Sequence, residues 1–290
     1  MRPPALLSDW AGSTPRDHCG PLPASADPSP HLTALACLDG EVIPTVQARI
    51  SATDDGLLRG DGVFEVMRLY GGRPFARDEH LTRLARSAAN LMLDCDLDTV
   101  TADIDALLRA AAPGDGLLRV LLTRGGRRVV LLEALPDLGA SMTLGLVTYA
   151  PSRILDEVKS LSYAANMLAS RRARQRGFDE ALLITPHGRV LEAPTASFFW
   201  VSGGAVLTPP LEDHVLDSIT RRRVIEELGA REQVTTRADL DRAQEAFLAS
   251  TVREVLPVAA IEERRLPVAG PVTERAVGLV GARIAAELSR

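Results

Sequence analysis

A chain of 290 residues has room for two ordinary domains, each with its own buried core. Its formal net charge of −5 at pH 7 offers no overall attraction to nucleic acid or to an anionic membrane surface, so small-molecule chemistry fits the balance better. There is no apolar run of about eighteen residues, the length that spans a bilayer, and the N-terminus has no basic start followed by a long apolar segment; the expectation is a cytoplasmic protein without a membrane span or secretory signal.

Residues 1–34 are rich in Pro, Ser, Asp and Gly and read as an extended N-terminal arm. A small α/β domain is expected over 35–148. It opens on a hairpin over 38–43 around Asp39-Gly40, followed by an alternating strand over 63–70 that stops at Gly71-Gly72. Helical spacing of Leu81, Leu84, Ala88 and Leu91 predicts a helix over 78–92 with Asp78 as N-cap, and a second helix covers 100–111. Strands are predicted over 117–123, 127–135 and 142–148, the last closing this half. Residues 149–155, with Pro151 inside, read as an interdomain linker.

A larger domain is expected over 156–290. Its first helix, 164–176, stops at Gly177. Short strands over 180–185 and 189–191 flank the Pro186-His187-Gly188 turn. Strands over 197–201 and 205–208, a helix over 220–228, a strand over 245–250 and an amphipathic helix over 272–288 complete the chain. Strands and helices are grouped rather than strictly alternating, which predicts a two-domain α+β (mixed α/β) fold.

The 33 Lys plus Arg residues include a single lysine, Lys159. A guanidinium stays protonated and cannot condense with a carbonyl, whereas a lysine amine can shift its pKa and form an imine. Lys159 stands between the linker and a helix, where two domains meet, a usual place for a cofactor pocket. Elsewhere the motifs are weaker. Cys19, Cys37 and Cys95 have neither zinc nor disulfide spacing, and no metal site is expected. Arg221-Arg222-Arg223 is followed by Glu226 and Glu227, as on a solvated helical face. Gly60-Asp61-Gly62 lacks the third glycine and the helix of a dinucleotide loop. A helix opening at Ser218-Ile219-Thr220-Arg221 would present unpaired N–H groups suited to a phosphate.

Lys159-Ser160-Leu161-Ser162-Tyr163-Ala164-Ala165-Asn166-Met167-Leu168-Ala169, with Gly177-Phe178-Asp179-Glu180-Ala181-Leu182-Leu183 and Val190-Leu191-Glu192-Ala193, resembles the signature of the class IV (fold type IV) pyridoxal-phosphate enzymes. That family includes D-amino-acid aminotransferases, branched-chain aminotransferases and aminodeoxychorismate lyases. The resemblance runs from about Leu38 to Pro257 and implies a small N-terminal α/β domain, a larger domain with a mixed, β-barrel-like sheet, and a homodimer. By the same resemblance, Lys159 forms the imine with pyridoxal 5′-phosphate and moves the proton, and Glu192 pairs with the pyridine nitrogen. Arg83, Ile219, Thr220, Ser250 and Thr251 match positions around the phosphate, while Leu216 packs on the ring. Phe64 and Tyr163 border the substrate, and Thr123-Arg124-Gly125-Gly126-Arg127 resembles a turn that borders it too. The loop after that turn is short here, so the equivalence of Arg127 to a carboxylate-binding arginine stays open. The implied reaction is ping-pong transfer of an amino group between an amino acid and a 2-oxo acid; the alternative is elimination of pyruvate from aminodeoxychorismate to give 4-aminobenzoate.

Overall fold

The computed structural model describes residues 34–268 and 270–289; the expected N-terminal arm, Ala34 excepted, and Cys19 lie outside them. The first half contains β1 (Leu35–Leu38), β2 (Glu41–Pro44), α1 (Asp55–Arg59), β3 (Gly62–Tyr70), β4 (Arg73–Pro74), α2 (Arg77–Asn90), α3 (Leu97–Ala110), β5 (Gly116–Thr123) and β6 (Arg128–Glu133). Its six strands form an antiparallel sheet in the order β2-β1-β6-β5-β3-β4. Asp39 and Gly40 both turn with positive φ, as a two-residue hairpin requires.

Alternation along the strands sends Val63, Met67, Leu69, Leu118 and Val120 into a core beneath α2 and α3, where they meet Leu84, Ile104 and Leu107. The α2 helix starts one residue before Asp78. Ala76, at φ 52°, takes the cap position without a side-chain bond, so Asp78 is a first-turn residue rather than the expected N-cap. Asp96 caps α3 by accepting from the N–H groups of Asp98 and Thr99.

The second half contains β7 (Met142–Thr148), α4 (Ala164–Gln175), β8 (Glu180–Ile184), β9 (Ser197–Ser202), β10 (Ala205–Thr208), α5 (Ile219–Leu228), β11 (Arg231–Glu232), α6 (Arg237–Leu240), β12 (Glu245–Ser250), β13 (Glu254–Ile261), β14 (Arg264–Arg265) and α7 (Pro271–Leu288). These strands form an eight-stranded mixed sheet, β11-β10-β9-β12-β13-β7-β8, with β14 beside β13. Here β7 corrects the sequence reading: it does not close the first half but runs parallel to β13 and β8 in the second sheet. Parallel β7 and β8 need a crossover, and α4 lies in it. Residues 189–191 make isolated bridges rather than a strand. Besides the two-residue strands β4, β11 and β14, the unforeseen strand is the eight-residue β13. Pro257 argues against a central strand, yet it pairs opposite Phe247, and the register toward β7 shifts between Val258 and Ala260.

Both faces of this sheet are covered, which explains the unbroken apolar run in β9. Phe198 and Trp200 enter one core. Phe199 enters another with Phe247, their rings stacked at 5.1 Å, packed with side chains of α5 and α7. Each such ring contributes about 2 kcal/mol by leaving water. Across the sheets, Glu254 accepts from Tyr70 at 2.7 Å and pairs with Arg68 at 2.7 Å. Among the described residues no helix is long and apolar enough to cross a membrane.

Candidate active site

Between the two sheets lies a cavity of about 360 Å³. Its floor is set by the chain leaving the linker. The Lys159 carbonyl accepts from the Phe64 N–H at 3.0 Å, and the Leu161 N–H donates to the Gly62 carbonyl at 2.8 Å, so residues 159–161 run antiparallel to the start of β3. This contact explains the Gly-Asp-Gly turn. Gly60 takes φ +66° where α1 ends, and a Cβ there would sit 2.9 Å from Ser162 Oγ; one at Gly62 would strike the Leu122 carbonyl and the Leu161 side chain.

The pairing sets the Lys159 side chain against the Phe64 ring, with Nζ 4.4 Å from its centroid, and Tyr163 meets that ring edge-on at 5.4 Å. Burial lowers the pKa of the amine, and the Arg83 guanidinium lowers it further, to about 8, against the opposing pull of Glu65 and Glu192. Glu192 lines the same cavity, and its Oε1 accepts from the Leu216 N–H at 2.9 Å. Burial pushes this carboxyl up to about 7 although the Leu216 bond and the charges of Lys159, Arg221 and Arg83 favour its ionised form.

Arg83 reaches the cavity from α2, held by a two-pronged pair to Glu65, Nε to Oε1 at 2.6 Å and Nη2 to Oε2 at 2.8 Å. Its Nη1 donates to the Asp217 carbonyl at 3.1 Å. Burial would raise the Glu65 pKa, but Arg83 and His80 outweigh it and hold the carboxylate at about 2. Asp217 precedes Ser218, which caps α5 by accepting from the Arg221 N–H. The N–H groups of Ile219 and Thr220 therefore begin the helix without an acceptor inside it. Ser250 and Thr251 reach the cavity where β12 ends.

Lys159, Arg83, Glu192, Leu216, Ser250, Thr251, Phe64 and Tyr163 thus share one cavity. Ile219 and Thr220 are buried just behind the lining at the start of α5. Two expected substrate-side residues are not brought to this cavity. Arg124 pairs with Asp61 and donates to the carbonyls of Leu91 and Met92, and Arg127 pairs with Asp39 at 2.5 Å. Sequence reasoning missed Arg119, which lines the cavity with its guanidinium carbon 5.7 Å from the Phe64 centroid and is paired to Glu133. The signal was a lone cation within the apolar run of β5, on the face opposite buried Leu118 and Val120. Tyr149 of the linker was likewise missed, and burial raises its pKa with help from Glu192.

An amine whose pKa burial lowers to about 8, in one cavity with a carboxyl group, a cation and a helix N-terminus close by, suits a ligand with a carbonyl, a cationic ring and an anionic group. Comparison with known proteins agrees. The family model described as amino-transferase class IV matches residues 62–261. A putative branched-chain-amino-acid aminotransferase of Methanocaldococcus jannaschii is 34% identical over 253 residues, 78% of this chain and 88% of that protein. An aminodeoxychorismate lyase of Bacillus subtilis is 30% identical over 254 residues, 78% of this chain and 86% of that protein. A hypothetical aminotransferase from Mycobacterium tuberculosis, solved in its PLP-bound form, matches with a TM-score of 0.80 at 27% identity, covering 88% of this chain and 100% of that one.

Proposed function

The chain belongs to the class IV aminotransferases, and from that premise we propose that Lys159, Glu192 and Arg83 serve one pyridoxal-phosphate site that moves an amino group between an amino acid and a 2-oxo acid. The family makes the protein a pyridoxal-phosphate-dependent transaminase. The residues present suit that cofactor on one observation above all: the second carboxylate oxygen of Glu192 accepts no hydrogen bond from the described residues, while the carboxyl lines the cavity that also holds the sole lysine. A cationic ring N–H is the partner such a group lacks. Arg83 and the opening N–H groups of α5 would hold the phosphate, with Ser250 and Thr251 beside it.

Pyridoxal phosphate, when bound, supplies a carbonyl that condenses with amines and a ring that takes up the electron pair left at the substrate Cα. The chain does the rest. The neutral Lys159 amine accepts the Cα proton and returns it, and the low pKa keeps a usable neutral fraction. Glu192 remains ionised once a cation stands opposite it. Leu216 and Phe64 narrow the cavity around the ring and the amine. Arg119 is the cation suited to a substrate carboxylate, and its pairing with Glu133 limits its swing.

The test is a set of half-reactions on the cofactor-loaded enzyme with L-leucine, D-alanine and aminodeoxychorismate. An amino acid is expected to bleach the visible absorbance of the bound cofactor, and a 2-oxo acid to restore it. Release of 4-aminobenzoate without such cycling would replace transamination by the lyase reaction, an outcome kept in view by the Bacillus subtilis relative.

The assembly we propose is a homodimer. Leu57, Leu58 and Met92 are exposed by 66%, 59% and 85%, large apolar side chains that a second copy of the chain would cover, and Arg124 links their two segments through Asp61 and the Met92 carbonyl. Light scattering should return the mass of two chains, and Leu58→Glu should lower it to one; a monomeric parent protein would end this reading.

A further inference from the structure

Glu65 occupies a place where an apolar residue is expected. Its neighbours on the inward face of β3, Val63, Met67 and Leu69, are apolar and buried under α2, and Glu65 itself is fully buried among them. It does not line the cavity. A carboxylate survives in such surroundings only when its oxygens are fully engaged. Both are: Arg83 takes one hydrogen bond to each, and His80 Nδ1 faces Oε2 at 2.8 Å. A carboxylate can only accept, so the His80 ring carries its proton on Nδ1.

The guanidinium has five N–H groups. Glu65 engages the one on Nε and one on Nη2, and the Asp217 carbonyl engages one on Nη1. One N–H on each terminal nitrogen is left. The planar fork is therefore fixed at one edge by β3 and at another by the residue before the α5 cap, while the side chain still borders the cavity.

We propose that Glu65 is a positioning residue for the cofactor phosphate: it touches no ligand, but its two-pronged hold on Arg83 aims the two remaining N–H groups beside the start of α5, so preference for the phosphorylated cofactor depends on it. This rests on the reading of Arg83 as a phosphate-holding residue. Asp217 supplies the second anchor through a backbone carbonyl, which substitution at that residue would leave in place, whereas Glu65 can be changed alone.

The experiment measures dissociation constants of pyridoxal phosphate and of pyridoxal for the full-length apo-protein, because both reach Lys159 and only one carries a phosphate. Glu65→Gln is expected to weaken pyridoxal phosphate binding by about tenfold or more, the scale on which losing an orienting partner weakens a ligand group, while pyridoxal binding stays near that of the parent. Glu65→Asp, which keeps the charge but shortens the reach, should lie between the two, and it carries the measurement if Glu65→Gln is insoluble. Arg83→Ala should reduce the preference at least as far as Glu65→Gln does, leaving the share owed to the start of α5, and adding Glu65→Gln to it should change the ratio no further. Equal weakening of both ligands by the Glu65 variants, or none, would overturn the positioning role. An undiminished preference in Arg83→Ala would instead overturn the reading of Arg83, which keeps the two failures apart.

Discussion

Lys159→Arg is expected to abolish turnover, with kcat falling by at least about 10⁴-fold, because it removes both the condensing amine and the general base. Arginine keeps the positive charge and most of the length, so the contact with Phe64 and the balance against Glu65 and Glu192 largely survive. What is lost is the ability to be neutral. The accompanying pH dependence has a definite sign. The Lys159 pKa is lowered from 10.5 to about 8, and only the neutral amine attacks a carbonyl. Capture of pyridoxal phosphate by the apo-protein should accelerate as pH rises toward about 8 and level off above it. Borohydride reduction followed by peptide mapping should place the cofactor on Lys159 in the parent and nowhere in the variant. Substantial turnover by Lys159→Arg, or a label on another residue, would sink the mechanism.

Glu192→Gln is expected to cost on the order of 10²–10³-fold in kcat while leaving cofactor capture intact, as removal of one group that stabilises developing charge commonly does. Glutamine preserves the shape and can still accept from the Leu216 N–H, but it cannot hold a proton on the ring nitrogen by charge. The variant also removes one of the two groups that raise the Lys159 pKa, so the acid limb of cofactor capture should move to lower pH. Kinetics across pH, with the bound cofactor measured at each point, separates the two effects. A kcat equal to that of the parent would show that Glu192 does not face the ring nitrogen.

Both variants act on residues that were legible in the chain itself, for different reasons. Lys159 stood out by chemistry, as the one amine among guanidinium groups, before any resemblance was considered. Glu192 did not: a glutamate after a short apolar run is ordinarily solvated, and only its place in the motif singled it out. Glu65 was passed over although its position in an alternating strand is an inward one, because a local pattern shows where a side chain points and not what it meets there. Arg119 was hidden for the same reason. Arg124 and Arg127, chosen by resemblance to a turn, instead bind Asp61 and Asp39.

The same division holds for the fold. Periodicity and turn residues located the Asp39-Gly40 hairpin, the strand before Gly71, the helix that ends at Gly177 and the strand over 245–250, because hydrogen bonding and alternation there are set by residues close in sequence. By itself the sequence determined a mixed chain with a lone, chemically distinct lysine at the junction of its halves. Tertiary structure alone decided that β7 belongs to the second sheet, that a strand could pass through Pro257, and that Arg119 joins Lys159, Glu192 and Arg83 at one cavity. Strand pairing and the low pKa of Lys159 both arise from groups far apart along the chain, and pairings of that kind leave no trace in a window of neighbouring residues.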